Sequence, residues 1–313
     1  MEKLIVSSSP HIQSKTTTQG IMIDVLIALL PATVAGVILF GWRALVTILV
    51  CVASAVISEF LFNLICKKEQ TVTDLSAVVT GLLLALSLPA QAGIWHCVIG
   101  SVFAIVVVKC IFGGICCNFA NPAVTARVFL LIAFSASIGG ASSPLINNTD
   151  LVASATPLEM IKLGSDAELP TLLDMLLGNR AGAIGETCAI ALLLGGIYLI
   201  ARRVIKWHTP VIYIATVFVL SLIIKQDLTI ALYQVLGGGL ILSAFYMITD
   251  YVTTPINSVG KMVFALGCGV ITVLIRFWGS YPEGISFAIL IMNILSPYIE
   301  KMCARKPLGK VGK

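Results

Sequence analysis

The sequence predicts an all-α protein that crosses a membrane about ten times, and two observations carry this prediction. Of the 313 residues, 58% are hydrophobic and only 11% are charged, whereas a soluble domain carries about 25% charged residues. Apolar runs approaching the roughly 20 residues that cross a bilayer as a helix recur along the chain. A transmembrane β-barrel would instead show alternating segments of about ten residues.

Ten apolar segments mark the predicted spans. In order along the chain they cover residues 21–40, 44–66, 75–89, 94–111, 122–139, 183–200, 210–224, 229–248, 260–277 and 284–300. The third segment is short and ends in proline, which is typical of a broken or re-entrant helix. Such a helix is tolerated at membrane depth where protein covers the freed backbone groups.

The ten segments form two groups of five around one long polar interval. The predicted regions are a tail, a first half, a loop, a second half and a second tail, at residues 1–20, 21–139, 140–182, 183–300 and 301–313.

Two pairs of weakly similar segments relate the two halves. The string GLLLALSLPA from Gly81 resembles GLILSAFYMI from Gly239, and NPAVTARVFLLI from Asn121 resembles YPEGISFAILIM from Tyr281. Five spans in each half would make the halves inverted in the membrane, an arrangement that places binding sites near the midplane.

Basic residues near span ends predict the orientation. One set of short loops holds Lys67, Lys68, Lys109, Arg202, Arg203, Lys206 and Lys261, and both tails are also basic. The opposite set holds Arg43, Lys162, Arg180, Lys225 and Arg276. Both termini are therefore expected in the cytoplasm and the loop 140–182 on the outer face. This role of the basic residues accounts for their excess without a nucleic-acid partner.

The N-terminal segment is polar and lacks the apolar core of a cleavable signal peptide. The first span is therefore expected to act as the targeting signal. Of nine cysteines only Cys110, Cys116 and Cys117 cluster, and their spacing is not that of a zinc or iron–sulfur site. No metal site built by this chain alone is expected.

Ionisable residues within apolar segments are candidates for function, because each costs about 2.5–3.5 kcal/mol at the bilayer centre on insertion scales. Glu59 lies within the second segment, Asp24 and Arg127 lie near the starts of the first and fifth, and Asp250 follows the eighth. We take Glu59 and Asp250 as candidates for an ion path. A packing role for Glu59 and an interfacial position for Asp24 and Asp250 remain open.

Two asparagines are candidates for a ligand site. Asn118 and Asn121, in FGGICCNFANPAV, would share one face of a helical turn. An amide offers donors and acceptors, which suits the edge of a planar heteroaromatic ligand. The alternative for Asn121 is to cap a helix that begins at Pro122. In RFWGSYPEGISF, Glu283 has the position of a helix-start acid.

Several blocks spread over nearly the whole chain together resemble one family. They are SPHIQSKTTTQGIMIDVLIALLPA, VTGLLLALSLPA, KCIFGGICCNFANPAVTARVFL, ITDYVTTPINSVGK and YPEGISFAILIMN. They are similar to the family that contains the D subunit of the Rnf complex and the B subunit of the sodium-pumping NADH:quinone oxidoreductase.

The resemblance implies a covalent FMN, joined by a phosphodiester to a threonine that a flavin transferase recognises in a pattern like D-x-x-(S/T)-G-A-(T/S). In DLVASATPL, Asp150 matches the acid, Ala155 the alanine and Thr156 the acceptor, while Ala153 and Ser154 depart from the pattern. The loop is polar, so we expect it to be exposed to the transferase. From spacing alone, Thr156 would instead cap a helix that begins at Pro157.

The resemblance also implies a function. It is that of a flavin-carrying subunit of an ion-translocating ferredoxin:NAD+ oxidoreductase in the bacterial inner membrane, coupled to Na+ or H+ movement. Expected partners are subunits carrying iron–sulfur and flavin centres, the flavin transferase and membrane lipid. Riboflavin bound within the membrane is a further implied cofactor, with Asn118 and Asn121 as candidate contacts.

Two other functions remain open. One is a quinone-reducing subunit, which in the family has a longer N-terminal extension than the twenty or so residues found here. The other is a channel or permease without redox chemistry.

Overall fold

The computed structural model describes residues 17–145, 153–163 and 169–304, and helices dominate those ranges. In the first half, α1 to α6 are Thr18–Phe40, Trp42–Ile65, Ser76–Ser87, Ile94–Val102, Pro122–Ala133 and Ser135–Ile138. A 3-10 turn at Val72–Asp74 precedes α3, and a π-helical stretch at Phe103–Cys110 continues α4. Asp150 lies outside the described residues.

A small antiparallel pair and two short helices follow. Strand β1, Ala141–Ser142, pairs with β2, Ala153–Ser154. The short helices α7 and α8 are Pro157–Leu163 and Leu172–Leu177.

In the second half, α9 to α14 are Ala189–Ala201, His208–Lys225, Leu228–Leu236, Leu240–Leu242, Ser258–Trp278 and Ile285–Cys303. A second π-helical stretch, Ser243–Met247, continues α12.

Membrane-crossing length is reached by five helices among the described residues, namely α1, α2, α10, α13 and α14. The bent pair formed by α11 and Leu240–Met247 makes a sixth candidate, with an angle of 59° at the break. Four further apolar helices are shorter, at Ser76–Ser87, Ile94–Cys110, Pro122–Ala133 and Ala189–Ala201. The all-helical class is confirmed, and each expected apolar segment coincides with helix, but several are too short to count as spans by length.

Helix packing follows a similar pattern in both halves. Helix α2 packs against α3 and α4, and α10 packs against α11 and α13. The halves meet where α1 packs along α9 and where α5 packs against α14.

Glycine allows the α1–α9 contact. A Cβ atom at Gly195 would overlap the carbonyl oxygen of Ala28 and the hydroxyl of Tyr246. That hydroxyl donates to the Ala28 oxygen across 3.0 Å and lies 3.3 Å from the Leu192 oxygen. The two halves therefore touch backbone to backbone at this point.

The ends of the helices follow from local sequence. Thr17 caps α1 by accepting the N–H of Gly20 across 3.1 Å, and Asp227 caps α11 by accepting that of Thr229 across 2.8 Å. These are the side chains preferred at that position. Gly41 separates α1 from α2 with φ 69°, a backbone conformation that glycine adopts without steric cost.

Other parts of the protein bind the backbone groups that are freed where the short third segment ends, as a broken helix in a membrane requires. Helix α3 has only 12 residues and gives way to extended backbone at Leu88. The N–H of Ile184 donates to the Leu88 oxygen across 3.1 Å, and that of Gly185 donates to the Leu86 oxygen across 2.7 Å. Residues 184–185 therefore bind carbonyls that the end of α3 frees.

Three basic residues that we assigned to loops are buried instead. Lys109, Arg180 and Arg276 each have 5% or less of their surface exposed. The assignment to loops is wrong for Lys109 and Arg276, which lie in helical segments, whereas Arg180 does lie in a loop. Counting charges near span ends assumes that those charges face water, which fails for all three. Each of these side chains finds acceptors inside the protein, which offset the cost of burial.

Candidate functional site

Thr156 stands at the start of α7, where it caps the helix. Its Oγ1 accepts the N–H of Glu159 across 3.1 Å, and Pro157 is the first helical residue. The side chain is buried, with 9% of its surface exposed, so the expectation of an exposed acceptor is wrong for this structure. Polar sequence did not mean exposure, because the short helix that follows folds onto the second half.

Contacts at both ends hold helix α7 against the second half of the protein. Leu158 lies against the backbone of Gly237 and Gly238, where side chains would collide with it. The Lys162 ammonium donates to the carbonyl oxygens of Gly279 and Tyr281, across 2.5 and 3.1 Å. Partial burial lowers the pKa of Lys162 below that of a free lysine.

Thr156 lies on the wall of a cavity of about 250 Å³, which we call the threonine cavity. Its lining includes Arg127, Ser135, Tyr281 and Phe287. The rings of Tyr281 and Phe287 stack with centroids 4.9 Å apart. The cavity therefore offers a hydroxyl, a guanidinium and an aromatic pair to a ligand.

Arg127 is held by two carboxylates from other parts of the chain. Its guanidinium lies 3.1 Å from Glu186 Oε1 and 2.5 Å from Glu283 Oε2, and it also donates to the carbonyl oxygen of Ser87. Glu283 was expected only as a helix-start acid, and Glu186 was not singled out. Glu186 lies at the start of an apolar segment, so the rule that selected Glu59 also applied to it.

Two more buried arginines hold the backbone around this cluster. Arg180 donates to the carbonyl oxygen of Glu186 across 2.6 Å. Arg276 donates to the carbonyl oxygen of Glu283 across 3.1 Å and to Gln234 Oε1, also across 3.1 Å. Each arginine thus fixes the segment that carries one of the two carboxylates.

A second cavity, of about 110 Å³, brings three predicted residues together, and we call it the asparagine cavity. Asn118, Asn121 and Asp250 all line it, with Lys109 and Tyr246. Asn121 caps α5 by accepting the N–H groups of Ala123 and Val124, as the capping alternative predicted.

The other side-chain amide atoms of Asn118 and Asn121 make few hydrogen bonds with the described residues. Asn121 Nδ2 lies 3.5 Å from Asp250 Oδ2. Asn118 Oδ1 is buried without a hydrogen-bond partner among the described residues. Asp250 is half-buried and also accepts from the hydroxyl of Thr253 across 3.1 Å.

Glu59 lies apart from both asparagines in a buried ion pair. Its Oε1 is 2.7 Å from Lys109 Nζ and 2.6 Å from the hydroxyl of Thr71, and Lys109 also donates to Ser76 across 2.8 Å. Only 1% of Glu59 and 3% of Lys109 is exposed. Because Lys109 and Ser76 also line the asparagine cavity, the pair adjoins that cavity.

Helix α5 connects the two cavities. Asn121, just before its first residue, lines one cavity, and Arg127, two turns later, lines the other. These two residues are six positions apart, about 9 Å along the helix. Thr156 thus lies on one cavity along α5, and Asn118, Asn121 and Asp250 line the other, which the Glu59 ion pair adjoins.

Comparison with known proteins gives similarity over the whole chain. A model of the NQR2, RnfD, RnfE family matches residues 5–309. The D subunit of a Na+-translocating ferredoxin:NAD+ oxidoreductase complex from Acetobacterium woodii is 45% identical over 308 residues, covering 98% of this chain and 95% of that protein.

Two further relatives match to a similar extent. The D subunit of a proton-translocating ferredoxin:NAD+ oxidoreductase complex from Clostridium ljungdahlii is 39% identical, covering 95% and 93% of the two chains. The D subunit of an ion-translocating oxidoreductase complex from Stutzerimonas stutzeri is 37% identical over the same two shares.

Proposed function

The chain belongs to the NQR2, RnfD, RnfE family, and from that membership we propose that it is a membrane subunit of an ion-translocating ferredoxin:NAD+ oxidoreductase complex. The observation that carries the proposal is the 45% identity to the D subunit of such a complex over 98% of this chain. The protein acts with other subunits of the complex, which hold iron–sulfur and flavin centres. The relatives are named for Na+ in one case and for protons in another, so the transported ion is one of these two.

Thr156 is the proposed attachment point of a covalent FMN. Only a hydroxyl can form the phosphoester, and Thr156 lines the threonine cavity, whose aromatic pair suits the ring of a flavin. When bound there, FMN would supply one- and two-electron transfer. Arg127 also lines this cavity, but two carboxylates already bind its guanidinium and offset its charge.

Burial of Thr156 bears on how it is modified. The flavin transferase must reach the segment from Asp150 to Thr156, with Ser154 and Ala155 between them. In the folded chain Thr156 is buried and α7 is clamped by Lys162. We therefore propose that attachment precedes the docking of α7, or that α7 lifts to admit the transferase.

A second flavin, riboflavin, is proposed for the asparagine cavity. Asn118 Oδ1 is an acceptor without a partner among the described residues, which suits an N–H at the edge of a planar ring. Asn121 has its oxygen committed to the α5 cap, so only its Nδ2 is offered. Glu59 and Asp250 are proposed for the ion path, in which Lys109 is the ion-pair partner of Glu59.

The proposed topology has ten crossings in two inverted halves. The contacts between helices support this topology. In the first half α2 contacts α3 and α4, and in the second half α10 makes the matching contacts with α11 and α13. Between the halves, α1 contacts α9 and α5 contacts α14. The chain would lie in the bacterial inner membrane, with both termini in the cytoplasm and the Thr156 loop outside.

The decisive experiment is intact-mass spectrometry of the protein from cells that make an active flavin transferase. We expect the mass of FMN less water on the peptide containing Thr156, its loss in Thr156→Ala, and at least partial retention in Thr156→Ser. An unmodified wild-type peptide would refute the covalent flavin. A denatured band that stays dark under ultraviolet light, in a membrane without ferredoxin-dependent NAD+ reduction, would favour a permease.

A further inference from the structure

A third cavity, of about 120 Å³, lies at the end of α9 and has no role in the functions proposed above. Its lining includes Arg203, Lys206, Thr209, Tyr251, Thr254 and Lys261. We call it the basic cavity. We propose that it binds a phosphate group, carried by an anionic membrane lipid or by a soluble phosphate compound.

Three cations from two parts of the chain line this one cavity. Arg203 and Lys206 lie in the turn between α9 and α10, and Lys261 lies in the first turn of α13. Lys206 and Lys261 line the same cavity, so their like charges repel each other. Holding like charges together costs free energy unless an anion lies between them.

Among the described residues, carboxylates balance this charge only in part, since none of them forms an ion pair with the three cations. Glu300 attracts Lys261, but its Oε2 accepts the N–H of Ile256 across 2.9 Å. The segments 1–16 and 305–313 contain a single acidic side chain, Glu2.

On the same cations, N–H donors remain without an acceptor among the described residues. Lys206 gives one N–H to Ser258 Oγ across 2.9 Å, and an ammonium has three. Lys261 lies 6.0 Å from the centre of the Tyr251 ring. The hydroxyls of Thr249 and Thr254 already donate to backbone oxygens, so a phosphate would be bound mainly by the cations.

The position suits a ligand at the membrane surface. The basic cavity lies at the helix ends that are predicted to be cytoplasmic, next to Trp207, which is exposed and of the type that anchors at the interface. The nearby ring of His208 is a further group close to Lys206 and Lys261. Basic pockets between helices on this side of a membrane are known to bind anionic headgroups.

The test is native mass spectrometry of the whole complex in neutral detergent, titrated with phosphatidylglycerol, phosphatidylcholine or inorganic phosphate. We expect phosphatidylglycerol to bind in preference to phosphatidylcholine. The double variant Lys206→Gln/Lys261→Gln should bind it roughly 25-fold more weakly, which is about 1 kcal/mol for each ammonium group. The matched control Lys67→Gln/Lys68→Gln removes two cations that do not line the basic cavity and should bind as the wild type does.

The other outcomes either identify a soluble phosphate ligand or overturn the proposal. Binding of inorganic phosphate that is lost in the Lys206/Lys261 variant, without preference for phosphatidylglycerol, supports a soluble phosphate ligand. Equal binding by both double variants and the wild type, or no binding of either phosphate probe, overturns the proposal. Unchanged melting temperatures without lipid check that both variants fold.

Discussion

The buried pair of Glu59 and Lys109 makes a quantitative prediction about stability. Lys109→Met would leave the Glu59 carboxylate in the interior with Thr71 as its hydrogen-bonding partner, since its Oε2 has none among the described residues. Breaking a buried ion pair by removing one partner costs about 3–5 kcal/mol. We expect a loss of that size in the free energy of unfolding.

Glu59→Gln should also be destabilising, because it leaves the buried Lys109 ammonium without a counter-charge, although the amide oxygen still accepts hydrogen bonds from Lys109 and Thr71. The telling case is the double variant Glu59→Gln/Lys109→Met. It contains no isolated buried charge, so it should be more stable than Lys109→Met alone by at least about 2 kcal/mol. Adding Glu59→Gln should therefore restore part of the stability that Lys109→Met removes.

The assay is unfolding of the purified protein in detergent, followed by tryptophan fluorescence as a denaturing detergent is added. The matched control is the pair Asp24 and Arg202, 3.3 Å apart, in which the Arg202 side chain is 59% exposed. Removing that pair should change stability by less than about 1 kcal/mol. The reasoning is refuted if the Glu59/Lys109 double variant is as unstable as Lys109→Met or less stable.

Three further predictions follow from contacts of single residues. Gly195→Leu should prevent α9 from docking on α1, so little folded protein should elute on size exclusion; Gly140→Leu, where a Cβ atom meets no neighbour, is the control, and equal yields would contradict the packing argument. Lys162→Gln should speed maleimide labelling of a Thr156→Cys variant, because α7 loses its bonds to Gly279 and Tyr281; an unchanged rate would show that Lys162 does not hold the helix. A cysteine placed at Lys206 should resist a membrane-impermeant reagent added from outside, and strong labelling would overturn the predicted orientation.

The sequence predicted helices well and predicted burial of charge poorly. Apolar runs determine where helices form in a membrane, because each backbone group must be bonded within its own segment. The Asn121 cap and the short α3 were both predictable from such local rules. The burial of Lys109, Arg180 and Arg276 was not, because it depends on acceptors supplied by distant parts of the chain.

The candidate sites show the same contrast between features that local sequence predicts and features that depend on distant parts of the chain. Asn118, Asn121 and Asp250 were chosen separately and line one cavity, which a single sequence does not reveal. Thr156 was identified through the family resemblance, but its burial depends on how α7 docks. Glu186 was missed although it lies at the start of an apolar segment; its pairing with Arg127, 59 positions earlier in the chain, forms only in the folded protein.

The contact between α1 and α9 limits how the two halves can move. At Gly195 the helices are too close to slide, and the Tyr246 hydroxyl joins backbone oxygens of both, at Ala28 and Leu192. A transport cycle in which one half rocks as a rigid body against the other would have to open this seam and expose those oxygens to hydrocarbon. The ion path proposed for Glu59 and Asp250 is therefore better served by small shifts of side chains and of short helical breaks, with the two halves acting as one stationary frame.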